Sequence, residues 1–263
     1  MHHQSTDINT IAEMLVLNGS LTECPGLVHG KTGIAVFFLH YAKYTGNRLY
    51  EEYAMDLLNE MQSQIHSNSP TDYERGIAGI GVGIDYLINN NLLQTEGDDI
   101  FADFDARMYR AVMYDPWLDF TLYDGLTGYG RYWNLRLRRS TSNNRARECL
   151  SHIIELINKQ LPDISEKEQT DVFFFLHDLL KTSGFEFCSG LLKRCNSFDI
   201  SFPRLCNSIV DDIARKFFIN QESEIEIIKK SSSGMGLLTG FAGEGMLHLS
   251  KINKSNLTWL HLI

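Results

Sequence analysis

The sequence predicts an all-α fold, and three observations carry that prediction. Strand-type alternation is rare along the 263 residues, whereas apolar residues recur at helical spacing. The 20 glycines fall largely in compact clusters, each followed by an apolar run. Segments that are apolar all round alternate with amphipathic ones, the pattern of inner and outer helices.

The elements follow in order. Ile8 to Leu17 reads as a short first helix, and Gly33 to Tyr44 as an apolar one carrying Ile34, Val36, Phe37, Phe38 and Leu39. Leu49 to Ile65 is amphipathic, with Tyr53, Leu57, Met61 and Ile65 on one face. Ser67 to Thr71 breaks the pattern, helped by Pro70. Ile80 to Leu92 is again apolar. Ile100 to Met113 turns Phe101, Phe104, Met108 and Val112 toward a core, and Pro116 ends it. Leu126 to Leu137 is aromatic-rich, and Arg145 to Ile157 is amphipathic. Val172 to Leu180 and Phe185 to Leu192 read as shorter helices, and Pro203 starts one over Leu205 to Phe218. Leu237 to Leu249 is the last apolar segment. Trp259, Leu260, Leu262 and Ile263 form an apolar tail that packs down. Five or so helical hairpins in one domain, residues 1–263, account for the length.

Composition narrows the function classes. Hydrophobic residues are 43% and charged residues 22%, enough to bury a core without a disulfide framework. The formal net charge of −9 and the lack of a basic stripe argue against nucleic acid as a partner. Five cysteines, an odd number with no CxxC, fit a reduced compartment. No apolar stretch reaches membrane-spanning length, and MHHQSTDINT has no signal-type apolar region, so a cytoplasmic location is expected.

Four glycine clusters resemble one another: GLVHGKTG from Gly26, GIAGIGVG from Gly76, GLTGYG from Gly125 and GLLTGFAGEG from Gly236. Gly30, Gly79 and Gly128 are spaced 49 and 49 residues apart, and the 112 residues from Gly128 to Gly240 leave room for one degenerate unit. Such repetition is the signature of stacked helical hairpins. Glycine at the start of an inner helix permits a tight turn and close approach of neighbours. If the hairpins curve round a centre, the result is an α/α toroid with a pocket at one end. A dinucleotide fingerprint is excluded, because no strand precedes the glycines.

These GL-x-HG-x-x-G and G-[LI]-x-G-[IY]-G signatures resemble the LanC-like proteins, the lanthionine synthetase C family. The likeness is strongest over residues 24–138 and 234–250. The resemblance implies an α/α barrel, here shortened. It implies zinc held by two cysteines and a histidine, and a peptide thiolate that closes a thioether ring on a dehydrated residue. It implies a precursor peptide as partner, with other peptide-modifying enzymes. The zinc motifs of the family, a Cys-Gly pair after a tryptophan and a Cys-His-Gly triplet, do not occur. None of Trp117, Trp133 and Trp259 is followed by Cys, and no Cys is followed by His. No metal and no cofactor are therefore expected. Cys188, Cys195 and Cys206 with His177 match no strong ligand spacing.

His29 stands in a setting similar to a family motif whose histidine exchanges protons near the pocket, although the family's histidine comes from a later repeat. A histidine that only bonds a backbone group is the bland alternative. Asp119 and Asp124 precede the third cluster, where the resemblance implies an aspartate that assists proton transfer; helix capping is the competing role. Arg131 suits a carboxylate ligand or an internal ion pair, and Tyr132 follows it. Tyr73, Glu74 and Arg75, beside Asp72, are candidates for the pocket mouth. So are Glu244 and His248, four residues apart on one helix face. Cys24 with His29 is a further possible thiol–imidazole pair.

The expected function is a zinc-less accessory protein or degenerate cyclase that binds a precursor peptide. An active thioether cyclase, a carbohydrate-active α/α-barrel enzyme using two pocket carboxylates, and a structural interaction module remain as alternatives.

Overall fold

The computed structural model describes residues 7–94, 99–195, 234–238, 240–252 and 258–263. Among them are ten α-helices and no β-strand, only an isolated bridge between Gly234 and Gly240. None of these helices is long and apolar enough to cross a membrane. The expected helix over Leu205 to Phe218, and Cys206, lie outside the described residues.

The helices are α1 (Ile8–Gly19), α2 (Lys31–Thr45), α3 (Arg48–Gln64), α4 (Ile77–Asn89), α5 (Ala102–Met113), α6 (Leu126–Arg139), α7 (Asn144–Gln160), α8 (Glu166–Leu179), α9 (Cys188–Arg194) and α10 (Phe241–Ile252). The chain divides into two compact units. The described part of the first is residues 7–69, 83–94 and those after 233; of the second, residues 70–82 and 99–195. The boundary between Val82 and Gly83 falls within α4.

In the first unit α2 packs along α3, and α10 packs against α1 and α2. Helix α2 is buried all round, every residue from Lys31 to Leu39 being inaccessible. Helix α3 buries only Ala54, Leu57, Leu58 and Met61, one amphipathic face, and is started by the Asn47 side chain accepting the Leu49 amide. Gly46 ends α2 at φ +70°, a conformation glycine adopts without strain. In α1, Ile11 and Leu15 are fully buried while Leu17 is 70% exposed. Each fully buried apolar side chain of that kind is worth about 1.5–3 kcal/mol, so the inward face seats the helix. Trp259, Leu260, Leu262 and Ile263 are all buried, as the apolar tail predicts. The Trp259 indole donates to Ser250 Oγ at 2.9 Å.

In the second unit α6 packs against α7 and α8, α5 against α7, and α9 against α8. Arg136 of α6 is 3% exposed and grips Asp105 of α5 through two bonds of 2.9 Å. Such a bidentate pair satisfies the buried charge that a lone guanidinium would leave open. Helix α8 begins at Glu166, six residues before the expected Val172, because Ser165 and Glu168 form a reciprocal capping box. Helix α9 begins three residues later than Phe185, and α5 ends at Met113, before Pro116 is reached.

Candidate functional site

Four turns lead into α2, α4, α6 and α10, and they share one backbone pattern. The carbonyl that opens each turn accepts the amide seven residues on: Cys24 from Lys31 at 2.9 Å, Pro70 from Ile77 at 3.0 Å, Asp119 from Leu126 at 2.7 Å and Gly234 from Phe241 at 3.1 Å. The sixth residue after each opening is Gly30, Gly76, Gly125 and Gly240. A Cβ there would stand 2.3, 2.4, 2.3 and 2.5 Å from that same carbonyl oxygen, so only glycine closes the turn. Gly33, Gly128 and Gly243 repeat the constraint three residues later, at 2.2, 2.2 and 2.0 Å from the carbonyls of Leu27, Leu122 and Leu237.

This corrects the expected alignment. Gly30 corresponds to Gly76 and Gly125, not to Gly79 and Gly128, and the first interval is 46 residues rather than 49. The offset arises because the GL pair of the first and last clusters lies inside the turn, whereas the GI and GL pairs at Gly76 and Gly125 begin the helix.

The turns meet in pairs, in the same sense. Within the first unit the Val28 carbonyl accepts the amides of Leu237 and Leu238 at 2.9 and 3.3 Å. Within the second, the Tyr123 carbonyl, at the equivalent station, accepts those of Tyr73 and Glu74 at 2.9 and 3.1 Å. Below each pair a glycine receives an aromatic ring: Gly245 faces Phe37, and Gly81 faces Tyr132. Gly130 faces Phe175 of α8 in the same manner. Helix α8 has no glycine turn before it. There Asp171 Oδ2 accepts the Leu122 amide at 2.8 Å, and Glu168 Oε1 accepts that of Phe120 at 2.9 Å. The Asp171 carboxylate thus does for the Leu122 amide what a main-chain carbonyl does for the equivalent amides of Tyr73 and Leu237.

The predicted residues distribute over this frame. His29, Arg75 and Asp124 occupy one station, immediately before the glycine that starts the helix. His29 is half-buried in the first unit, and a Cβ on Gly236 would come within 2.5 Å of its Cα. Arg75 and Asp124 are exposed in the second. Gly125 is the residue at the helix cap and no side chain bonds there, so Asp124 does not cap α6. Asp119 opens the third turn, its Oδ1 accepting the Thr121 amide at 2.7 Å and the Thr121 hydroxyl. That engagement makes it a turn former. Glu74 lies 3.6 Å from the Arg75 guanidinium.

Arg131 and Tyr73 do come together: the guanidinium lies 5.0 Å from the centre of the buried Tyr73 ring. Tyr132 goes elsewhere, its hydroxyl bonding Asp105 Oδ1 at 2.5 Å in the same cluster as Arg136. Glu244 and His248 are half-buried one turn apart on α10. In the first unit, too, burial and Lys43 push the His40 imidazole down to about 4, and its Nε2 sits 2.8 Å from the Tyr86 hydroxyl.

Beside Arg131 is a small, partly open cleft of about 30 Å³, lined by Leu122, Thr127, Asp171, Phe174, Phe175 and Asp178. Asp171 and Asp178 were not singled out by sequence reasoning. Their seven-residue spacing places both on the face of α8 that carries Phe174 and Phe175. Asp178 accepts from Asn134 Nδ2 at 3.0 Å and from Arg138 at 3.1 Å. Both carboxylates are therefore held as acceptors within the fold.

The residues present do not fit the zinc centre that the family resemblance implies. Among the described residues, no group of three or more His, Cys, Asp or Glu side chains is placed to hold a metal ion. Burial pushes the Cys188 and Cys195 thiols up to about 11, against the thiolate form that zinc requires, and raises that of Cys149 as well. The chain matches no protein-family model, and no curated protein is similar to it.

Proposed function

We propose that this chain is a LanC-like protein that binds a ribosomally made precursor peptide as an accessory, without the thiolate-activating zinc of a cyclase. In this reading α2, α4, α6 and α10 are inner helices of an α/α toroid, and the glycine turns form the rim to which the peptide docks. The observation that carries it is the common sense of the two turn pairings. The last turn donates to the first as the second donates to the third, so the two pairs are built alike, as units of one repeat would be. The station shared by His29, Arg75 and Asp124 supports the rim role, since it places polar residues at the mouth of the first three turns. Two poorly compatible donor sets argue against the cyclase and glycosidase alternatives: raised thiols on one side, and carboxylates committed to main-chain and side-chain donors on the other.

Calorimetric titration with the precursor peptides encoded beside its gene tests the proposal. Saturable binding, weakened by alanine at His29, is the expected result. Failure of every such peptide to bind would sink it.

A further inference from the structure

We propose that the loop from Tyr114 to Leu118, with the carboxylates beside it, is the docking surface for a cationic stretch of polypeptide that also carries apolar side chains. The inference rests on the peptide-binding reading and names the chemistry of the peptide.

Three large side chains within five residues are displayed to solvent: Tyr114 is 76% exposed, Trp117 65% and Leu118 56%. The other two tryptophans, Trp133 and Trp259, are fully buried. The loop's main chain is tied at both ends. Tyr114 N–H donates to the Arg110 carbonyl at 3.0 Å, and Asp119 N–H to the Trp117 carbonyl at 2.8 Å. The side chains are thus presented from a constrained backbone, which lowers the ordering cost of binding. Contiguous exposed apolar groups rimmed by polar ones mark interaction surfaces.

Charge decides among the occupants. Asp72, Asp115 and Asp124 all act electrostatically on one hydroxyl, that of the buried Tyr129, which bonds Thr71 at 3.0 Å. They are therefore gathered on the same side of the second unit as the loop that contains Asp115. Glu74 and Asp119 add to them. The bases at the margin are Arg75, 3.6 Å from Glu74, and Arg110, one helical turn before Tyr114. Such a rim repels nucleic acid, an anionic lipid surface and a second copy of itself. It attracts lysine and arginine while Trp117 and Leu118 accept apolar side chains, and tryptophan is enriched among the residues that anchor interfaces.

The test uses a flexible synthetic peptide alternating Lys with Leu and Phe, and its counterpart with Glu for every Lys. The lysine peptide is expected to bind saturably, shielding Trp117 from acrylamide quenching. By calorimetry its affinity should fall about tenfold in W117S/L118S and in D115N/D124N. It should change less than about twofold in E51Q/E52Q, which removes two exposed charges from α3. No binding, equal binding of the glutamate peptide, or an equal loss in E51Q/E52Q would overturn the proposal. So would sedimentation showing dimers that W117S/L118S abolishes. Precursor peptides that bind the wild type and W117S/L118S alike would keep the peptide-binding reading and remove this surface from it.

Discussion

The Asp171 carboxylate accepts the Leu122 main-chain amide at 2.8 Å, supplying with a side chain the acceptor that a main-chain carbonyl supplies to the equivalent amides of Tyr73 and Leu237. Because Asp171 is 5% exposed, water cannot readily take over its role. Asp171→Ala should destabilise the protein by about 1–3 kcal/mol, and Asp171→Asn, which keeps an acceptor, by less. Urea unfolding of the two variants checks the order; equal losses would show that the acceptor is not what matters.

Gly125 and Gly190 should respond to alanine with opposite signs. A Cβ on Gly125 meets the Asp119 carbonyl oxygen at 2.3 Å, and main chain cannot swing aside, so roughly 2 kcal/mol or more should be lost. Gly190, inside α9, has nothing within 4 Å of its would-be Cβ. There alanine should stabilise by about 0.5–1 kcal/mol through helix propensity. Thermal melts of both variants read the contrast.

His40 gives the fold an acid-sensitive step. Its ordinary value is 6.5 and its folded value about 4, so the folded protein resists a proton that the unfolded chain accepts. This contribution is fully present above pH 6.5 and is lost as pH falls toward 4, up to about 3 kcal/mol in all. His40→Gln should flatten the decline in urea midpoint between about pH 7 and pH 5. A slope identical to that of the wild type would remove His40 as its source.

Metal analysis of the purified protein should find well under one zinc per chain. In the same preparation Cys188 and Cys195 should react with iodoacetamide slowly at about pH 8, and quickly once denaturant exposes them. Stoichiometric zinc, released together with newly reactive thiols, would restore a metal-dependent cyclase.

Helical periodicity made nearly every described helix legible, with ends displaced by a few residues where caps decided them. The Ser165 and Glu168 capping box outweighed the apolar pattern that placed the start at Val172. Glycine spacing exposed the repeated turn but misaligned it by three residues, because Asp72 and Thr121 stand where the other turns carry Gly26 and Gly236. Arg131 beside Tyr73 was within reach of sequence reasoning as a pair of candidates. The role of Asp171 was not, since it replaces a main-chain group and leaves no motif. Tyr132 shows the converse: a family-like run supplied its context, but Asp105 on a different helix determined where its hydroxyl went.

The pairing of Val28 with Leu237 also sets a timetable. About two hundred residues separate these partners, against about fifty for Tyr73 and Tyr123. At the usual pace of translation the Tyr123 carbonyl follows its partner within roughly 3–10 s, whereas Val28 waits roughly 10–40 s for Leu237. The buried rings of α2 therefore wait through that interval for α10, the helix that packs on them, several times longer than Tyr73 waits for its partner turn.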